Sequence, residues 1–245
     1  MIIIGIESSA LVASAAIMDE ERLIAEYTVN NKKTHSQTLL PMLDEIVKNV
    51  GLELSSIDAI AISRGPGSFT GLRIGSATAK GLGLALDKPI VEVPTLMAMA
   101  MNLFGAEESL ICPIMDARRA EVYSGVYSFE RENTDGHAFE CRLSTVINEK
   151  AGPLEELIEE LNTPGRPVIF LGDGVPVYKD MLDEGMKVPY SFAPSHLSRQ
   201  RAGSVAALGL MMYKQGITVN ARDHAPVYLR TSQAERVLNS SQQSG

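Results

Sequence analysis

The feature that most constrains this chain is a glycine-rich turn placed between an apolar strand and a helix. Residues 59–62 read Ala-Ile-Ala-Ile, and residues 63–75 read Ser-Arg-Gly-Pro-Gly-Ser-Phe-Thr-Gly-Leu-Arg-Ile-Gly. A strand, a glycine loop and a helix in this order direct backbone N–H groups at one point, which suits an anion or a closely packed partner. The glycines from Gly65 are spaced G-x-G-x-x-x-G, one residue longer than the dinucleotide fingerprint, and no Gly-Lys-Ser/Thr follows. The loop therefore indicates an α/β protein but excludes the two common phosphate loops.

Hydrophobic periodicity predicts strands followed by alternating helices and strands in the first hundred residues. The predicted strands are 2–6, 11–18, 23–29, 59–63 and 90–93, the first three joined by short polar turns. The predicted helices are 39–50, 71–86 and 95–104. Pro41 is expected in the first turn of its helix, because later it would break the hydrogen-bond ladder. The predicted order is βββαβαβα, with an antiparallel meander followed by parallel crossovers.

A second half of similar order begins near Leu110. Its predicted strands are 110–115, 121–127, 139–147 and 168–171, and its predicted helices are 153–161, 175–182 and 201–214. We divide the chain into a first lobe, 1–105, completed by the C-terminal helix at 200–216, and a second, reduced lobe, 106–199. The polar tail at 235–245 has nothing to bury and is expected to be disordered.

Four segments resemble the TsaB (YeaZ) family. They are GPGSFTGLRIG at 65–75, the His-Ser-x-x-Leu-Leu-Pro pattern at 35–41, MDARRAEVY at 115–123 and PVYLR at 226–230. Their order and positions span nearly the whole chain. The resemblance implies an α/β fold of the actin/hexokinase-like ATPase superfold, with two related lobes.

The resemblance also implies a function. TsaB proteins are non-catalytic subunits that pair with and activate the TsaD transferase, which forms N6-threonylcarbamoyladenosine beside the anticodon of tRNAs. We therefore expect TsaD as heterodimer partner, TsaE in a larger complex, a homodimer when the chain is alone, and tRNA contact only through the complex. No cofactor of its own is expected, and ATP or ADP at a shared interface is left open. The alternatives are an autonomous ATP-dependent phosphotransferase and a glycoprotease-like peptidase.

Composition limits the partners and the location. The 245 residues carry a net charge of −8, and an acidic surface repels the phosphodiester backbone, so the lone chain is expected to bind tRNA poorly. The only cysteines, Cys112 and Cys141, lie in apolar contexts that favour inert free thiols in a reducing cytoplasm. No apolar run approaches the ~20 residues that cross a bilayer, and no membrane contact is expected.

Two turns are candidates for contact with a nucleotide or a partner. Glu7 and Ser8 follow the first strand, where the superfold places an Asp-x-Gly-Thr hairpin on metal-bound phosphate, and Gly172 and Gly174 form a second glycine turn. Ordinary turn chemistry is the alternative for both. The candidate contacts are Glu7, Ser8, Gly65, Gly67, Ser68, Thr70, Arg73, Arg118, Gly172 and Gly174. No catalytic residue is assigned.

A stripe of small residues on the second helix predicts a close helix contact. Gly71, Gly75, Ala79 and Gly83 recur every four residues, although glycine inside a helix costs ~1 kcal/mol relative to alanine. Close approach of another backbone explains such a stripe. That backbone belongs either to the chain's own sheet or to another subunit. The resemblance favours a subunit interface, which would include Leu39 and Leu43 of the preceding helix.

No metal site is expected. TsaD holds a metal with histidines on two helices of this lobe. His35 occupies the matching place on the first helix, but the matching stretch at 94–101 contains neither histidine nor carboxylate. One imidazole cannot hold a catalytic metal, so His35 is predicted to make structural hydrogen bonds.

A charged cluster follows the first strand of the second half. Asp116, Arg118, Arg119 and Glu121 are predicted to form ion pairs within the chain, and contact between Arg118 and a partner or its nucleotide is the alternative.

Overall fold

Two five-stranded sheets form the body of the protein in a computed structural model that describes residues 1–31, 34–133 and 139–230. The tail at 235–245 lies outside the described residues. The predicted strands and helices are present in the predicted order, but α1 begins four residues earlier than predicted, β7 and β8 each extend six residues further, and β10 was not predicted.

The first sheet has the order β3-β2-β1-β4-β5. Its strands are β1 (Ile2–Glu7), β2 (Val12–Asp19), β3 (Leu23–Asn30), β4 (Ala59–Gly65) and β5 (Ile90–Pro94). Its helices are α1 (His35–Val50), α2 (Phe69–Leu86) and α3 (Thr95–Ala100). The first three strands pair antiparallel, whereas β1, β4 and β5 pair parallel. This is the predicted order βββαβαβα.

The second sheet has the order β10-β9-β6-β7-β8. Its strands are β6 (Leu110–Asp116), β7 (Glu121–Asn133), β8 (Phe139–Pro153), β9 (Val168–Leu171) and β10 (Tyr190–Phe192), and its helices are α4 (Leu154–Asn162) and α5 (Val175–Gly185). Counted along the chain, both sheets have the strand order 3-2-1-4-5. The second lobe is therefore reduced in its helices and not in its sheet: α4 and α5 have 9 and 11 residues, against 16 and 18 in α1 and α2.

Alternation along the strands builds a core on each face of each sheet. Leu110, Cys112 and Ile114 of β6 pack with α4 and α5, while Ile111 and Met115 face the opposite way, toward α3. The final helix, α6 (Ala202–Lys214), packs on the first sheet through Val205, Ala206, Leu208 and Leu210. Thus α6 covers the first sheet, although it follows the second sheet in the chain.

The prediction for Pro41 was wrong. Helix α1 begins at His35, so Pro41 lies inside the helix and beyond its first turn. The ring leaves the carbonyl of the residue four positions earlier, Gln37, without its helical donor. Because Gln37 and Pro41 are both exposed, water can bond to that carbonyl.

Candidate functional site: the cleft between the lobes

A cleft of about 760 Å³ separates the two lobes, within the size range of small-molecule and cofactor sites. The first lobe lines it with residues from the β1–β2 turn, the start of α1 and the start of α2, and the second lobe with the end of β6 and the β9–α5 turn. The lining residues used below are Ser9, His35, Gly67, Ser68, Phe69, Thr70, Gly71, Arg73, Asp116, Ala117, Arg118 and Asp173.

The glycine loop at 65–68 packs closely against the turn that follows β1. Gly65 has a φ of +121°, which favours glycine. A Cβ on Gly67 would lie 2.2 Å from the carbonyl oxygen of Ser9, and the Ser68 N–H donates to that same oxygen at 2.6 Å. Ser68 also caps α2, since its Oγ accepts from the Gly71 N–H at 3.3 Å. The loop is thus shaped by a contact within the chain.

The predicted subunit interface along α2 was wrong. A Cβ on Gly71 or Gly75 would lie 2.1 Å from the Ser8 carbonyl oxygen or the Ser8 Oγ, respectively, and one on Gly83 would lie 2.8 Å from the Ala221 Cβ. Ala79 is fully buried. The predicted partners on α1, Leu39 and Leu43, are buried in the core of the first lobe. The chain's own β1–β2 turn and C-terminal segment therefore explain the small residues.

Glu7 and Ser8 do not line the cleft. Glu7 is 1% exposed, and its Oε1 accepts from the Ser9 N–H at 2.6 Å. Burial raises the pKa of the Glu7 carboxyl group. The Ser8 Oγ donates to the Gly71 carbonyl at 2.9 Å. Both side chains hold the turn against α2 and do not face a ligand.

The second glycine turn, which follows β9, likewise packs on the neighbouring strand β6 of its own lobe. Gly172 has a φ of +111°, and a Cβ there would lie 2.0 Å from the Ile114 carbonyl oxygen. The Gly174 N–H donates to that oxygen at 3.1 Å. Only Asp173, between the two, reaches the cleft. Burial raises the pKa of its carboxyl group.

The turn after β6 places Arg118 at the rim of the cleft and exposes Arg119 beside it. Arg118, Arg119 and Ala120 have φ angles of 66°, 60° and 59°, a left-handed turn that costs about 1–2 kcal/mol per residue. The predicted ion pairing within the chain holds for Glu121, which pairs with Arg230. Asp116 makes hydrogen bonds with neutral donors instead: its Oδ1 accepts from the Tyr178 hydroxyl and the Arg118 N–H, both at 2.7 Å.

Arg118 and Arg119 are consequently exposed cations. Within the described part of the chain, neither guanidinium group forms an ion pair. Of the predicted contact residues, Gly67, Ser68, Thr70, Arg73 and Arg118 line the cleft. The other five, Glu7, Ser8, Gly65, Gly172 and Gly174, support the turns around it.

Sequence reasoning missed an aromatic stack at the edge of the cleft. The Phe69 and Tyr228 rings lie parallel with centroids 4.1 Å apart, and Arg73 donates from Nε to the Tyr228 hydroxyl at 3.2 Å. Two residues later, Arg230 donates from Nη1 to the Ala117 carbonyl at 2.7 Å. The sequence marks the segment 226–230 only as a family-like string, yet the segment joins α2 of the first lobe to the second lobe.

His35 makes one hydrogen bond of the predicted structural kind, and its Nδ1 is buried without a partner among the described residues. His35 begins α1, and its Nε2 lies 2.7 Å from the Ala10 carbonyl oxygen, which it can bond as a donor. Among the described residues, no group of three His, Cys, Asp or Glu side chains is placed to hold a metal. Cys112 and Cys141 are free, and burial raises the pKa of both thiols, which suppresses the reactive thiolate.

Comparisons with known proteins identify the family. A family profile described as "TsaD: tRNA N6-adenosine threonylcarbamoyltransferase" matches residues 22–237. The "tRNA threonylcarbamoyladenosine biosynthesis protein TsaB" of Bacillus subtilis (strain 168) is 31% identical over 236 residues, 96% of each chain. The chain belongs to the TsaB (YeaZ) family. The TsaB of Escherichia coli (strain K12) is likewise 31% identical, over 97% of this chain and 98% of its own.

A solved TsaB structure has the same fold. "YeaZ from Pseudomonas aeruginosa" matches with a TM-score of 0.73 and 29% identity over 93% of this chain and 99% of its own. Two lobes of equal strand order, with the cleft between them, form the actin/hexokinase-like architecture that the sequence predicted. No helix within the described ranges is long and apolar enough to cross a bilayer.

Proposed function

We propose that this chain acts in the formation of threonylcarbamoyladenosine in tRNA, as a subunit that pairs with the TsaD transferase and supports its activity. The TsaB relatives carry this biosynthesis in their names. The match to the TsaD profile over 22–237 makes the proposed partner a relative of the chain. Pairing of related subunits is a common way to assemble a shared site.

The observation that best supports a non-catalytic role for the chain is the position of Glu7. This carboxyl group stands where the superfold would handle metal-bound phosphate, but it is buried and accepts from the N–H of its own turn at Ser9. A general base must come within hydrogen-bond reach of the group that it deprotonates. Glu7 does not reach the cleft, so it is not placed to act as the base of a phosphoryl transfer there.

The partner contact is proposed for the outward side of α1 and α2, since the inward side is buried in the chain. Leu40 and Leu84 are 57% and 52% exposed on these two neighbouring helices. The same side would form a homodimer when TsaD is absent. TsaE is proposed to join the TsaD pair, and ATP or ADP at a shared interface would place its phosphates near Arg73 and Arg118.

Because the chain is acidic, we propose that tRNA binds to the complex and not to the lone chain. At −8, the lone chain is expected to hold tRNA no better than non-specifically, with a Kd of roughly 10⁻⁴ to 10⁻⁶ M. A mobility-shift titration at physiological salt measures this, and sub-micromolar binding by the lone chain would contradict it.

The test of function is a transfer assay with purified components. TsaD and TsaE are assayed for threonylcarbamoyl transfer to tRNA with and without this chain, and the chain is assayed alone for ATP turnover. We expect transfer to depend on the chain. Turnover by the chain alone above about 0.1 per second would instead favour the phosphotransferase, and cleavage of peptides by the chain alone would favour the peptidase.

The test of the surface is a matched pair of substitutions. Leu84→Glu places a charge on α2, and Val177→Glu places one on α5, where Val177 is 57% exposed. We expect Leu84→Glu to weaken TsaD binding at least about tenfold, because a charge would be buried without a partner. Val177→Glu should leave binding unchanged, and both variants should melt like the parent. Equal binding by Leu84→Glu and the parent would reject this surface.

A further inference from the structure

A second, smaller cavity lies behind the cleft, where the two lobes and the start of α6 meet. It measures about 200 Å³, room for roughly half a dozen water-sized groups. The first lobe lines it with the apolar run Ala10, Leu11 and Val12 and with Asn30 at the end of β3, and its opposite wall includes Asp173, Arg199 and Gln200. Only Asp173 and the Ala10–Leu11 turn are shared with the large cleft.

The polar groups on this opposite wall lack partners within the described residues. Gln200 is 1% exposed, and both its Oε1 and its Nε2 are buried without a hydrogen bond. The Asp173 Oδ1 is also buried without one. The half-buried Arg199 forms no ion pair in the described ranges. Buried polar atoms are nearly always bonded, so three such atoms beside one cavity call for an occupant.

The three side chains define the chemistry of that occupant. A guanidinium group binds a carboxylate, and a carboxylate binds an ammonium group. The Gln200 amide supplies one donor face and one acceptor and can therefore bond to both. The ligand must carry both charges within a few bonds, because the cavity is small.

We propose that this cavity is a binding site for a small zwitterionic α-amino acid. Its carboxylate bonds to Arg199 and the Gln200 Nε2, its ammonium group bonds to Asp173 and the Gln200 Oε1, and its side chain contacts Ala10 and Val12. Because residues of both lobes line the cavity, the bound amino acid would also fix the lobes relative to each other. This site goes beyond the proposed function and does not depend on TsaD.

The experiment measures binding of L-alanine to the isolated full-length chain by titration calorimetry. Propionate and ethylamine serve as matched probes, since each carries only one of the two charges. A ligand of six non-hydrogen atoms can reach a Kd of about 1 mM. We expect L-alanine to bind in that range and each single-charge probe to bind at least tenfold more weakly.

Two variants locate the site. Gln200→Leu removes the amide at similar volume, and because it also removes unbonded buried atoms, it should fold at least as well as the parent. Arg199→Met removes the charge from a half-buried position. Each is expected to weaken L-alanine binding at least tenfold. The matched control is Gln215→Leu at an exposed position after α6, which should bind like the parent.

Several results would overturn the proposal. Equal binding of propionate and L-alanine would indicate a simple anion site. If L-alanine gave no detectable heat of binding, the cavity would be a site for water and not for an amino acid. Unchanged binding by folded Gln200→Leu and Arg199→Met would place the amino acid elsewhere. None of these results bears on transfer by TsaD, so the proposed function would stand or fall separately.

Discussion

The two lobes share one strand order but treat the turn after their first strand in opposite ways. In the first lobe, the β1–β2 turn is sealed by α2, whose Gly71 and Gly75 approach Ser8. In the second lobe, the β6–β7 turn is left-handed at 118–120 and directs Arg118 and Arg119 outward. The carboxyl groups that end the two strands differ accordingly: Glu7 is buried, whereas Asp116 lines the cleft.

The comparison shows that two lobes of the same strand order can present different surfaces after the first strand: a closely packed turn in one and an exposed charged turn in the other. Small residues allow the first lobe to close on itself, while long helices cover its sheet. The second lobe has short helices and keeps its charged turn open at the rim. The cleft therefore has a closely packed wall from the first lobe, and from the second lobe an open turn with the charged residues Asp116 and Arg118.

The largest expected effect comes from filling the glycine contact of the first lobe. Gly71→Ala would put a Cβ 2.1 Å from the Ser8 carbonyl oxygen, so the turn or the helix must move. We expect the free energy of unfolding to fall by about 3 kcal/mol, measured by urea denaturation. Gly174→Ala, at the matching turn of the second lobe, meets its nearest atom at 3.0 Å and should cost about 1 kcal/mol.

Gly81→Ala is the control on the same helix. No atom lies within 4 Å of its added Cβ, so alanine should stabilise the helix by about 0.5–1 kcal/mol. If Gly71→Ala and Gly81→Ala gave the same change, the first lobe would not be sealed by this contact.

An intermediate effect is expected from cutting the link between the lobes. Arg230→Ala removes the hydrogen bond to Ala117 and the ion pair with Glu121. Hydrogen bonds to charged groups contribute about 1.5–3 kcal/mol. We therefore expect the free energy of local opening of 117–121 to fall by about 1.5 kcal/mol. Hydrogen exchange should speed up there and leave β1 unchanged. The exposed Arg222→Ala is the control, and equal exchange in both variants would contradict the link.

The smallest expected effect is on the pH dependence of the free energy of unfolding. Burial raises the pKa of Glu7 above 4.5, so above that pH the folded chain holds this proton more tightly than the unfolded chain does. The contribution of Glu7 to stability therefore falls as pH rises from 4.5 through the folded-state pKa. We expect Glu7→Gln to remove that fall, so that its stability relative to the parent grows with pH across this window. Urea denaturation over the window measures it, and a constant difference would contradict the raised pKa.

Much of the fold could be predicted from sequence because it depends on local patterns. The period of the apolar residues predicted the strands and helices of the first lobe in their observed order. The three-residue β10 was missed, since so short a strand has no period to detect. The start of α1 was placed late because His35 to Thr38 carry no apolar repeat.

The candidate site was predicted only in part. The glycine string located the first-lobe wall of the cleft. Five of the ten predicted contact residues line the cleft. The stack of Phe69 on Tyr228 joins residues far apart in the chain, and nothing in either local pattern signals it. The unbonded amide of Gln200 is equally invisible in the sequence, because burial without a partner is a property of the packed lobes.

The sequence by itself determined the family, the α/β class and the order of strands and helices along the first lobe, because motif strings and hydrophobic periods are local. Only the tertiary structure decided what the glycines of α2 face. A stripe of small residues specifies a close approach but not the identity of the neighbour. That neighbour, the turn at Ser8, lies more than sixty residues earlier in the chain. Its position follows from the parallel pairing of β1 with β4, which brings the turn after β1 to the start of α2.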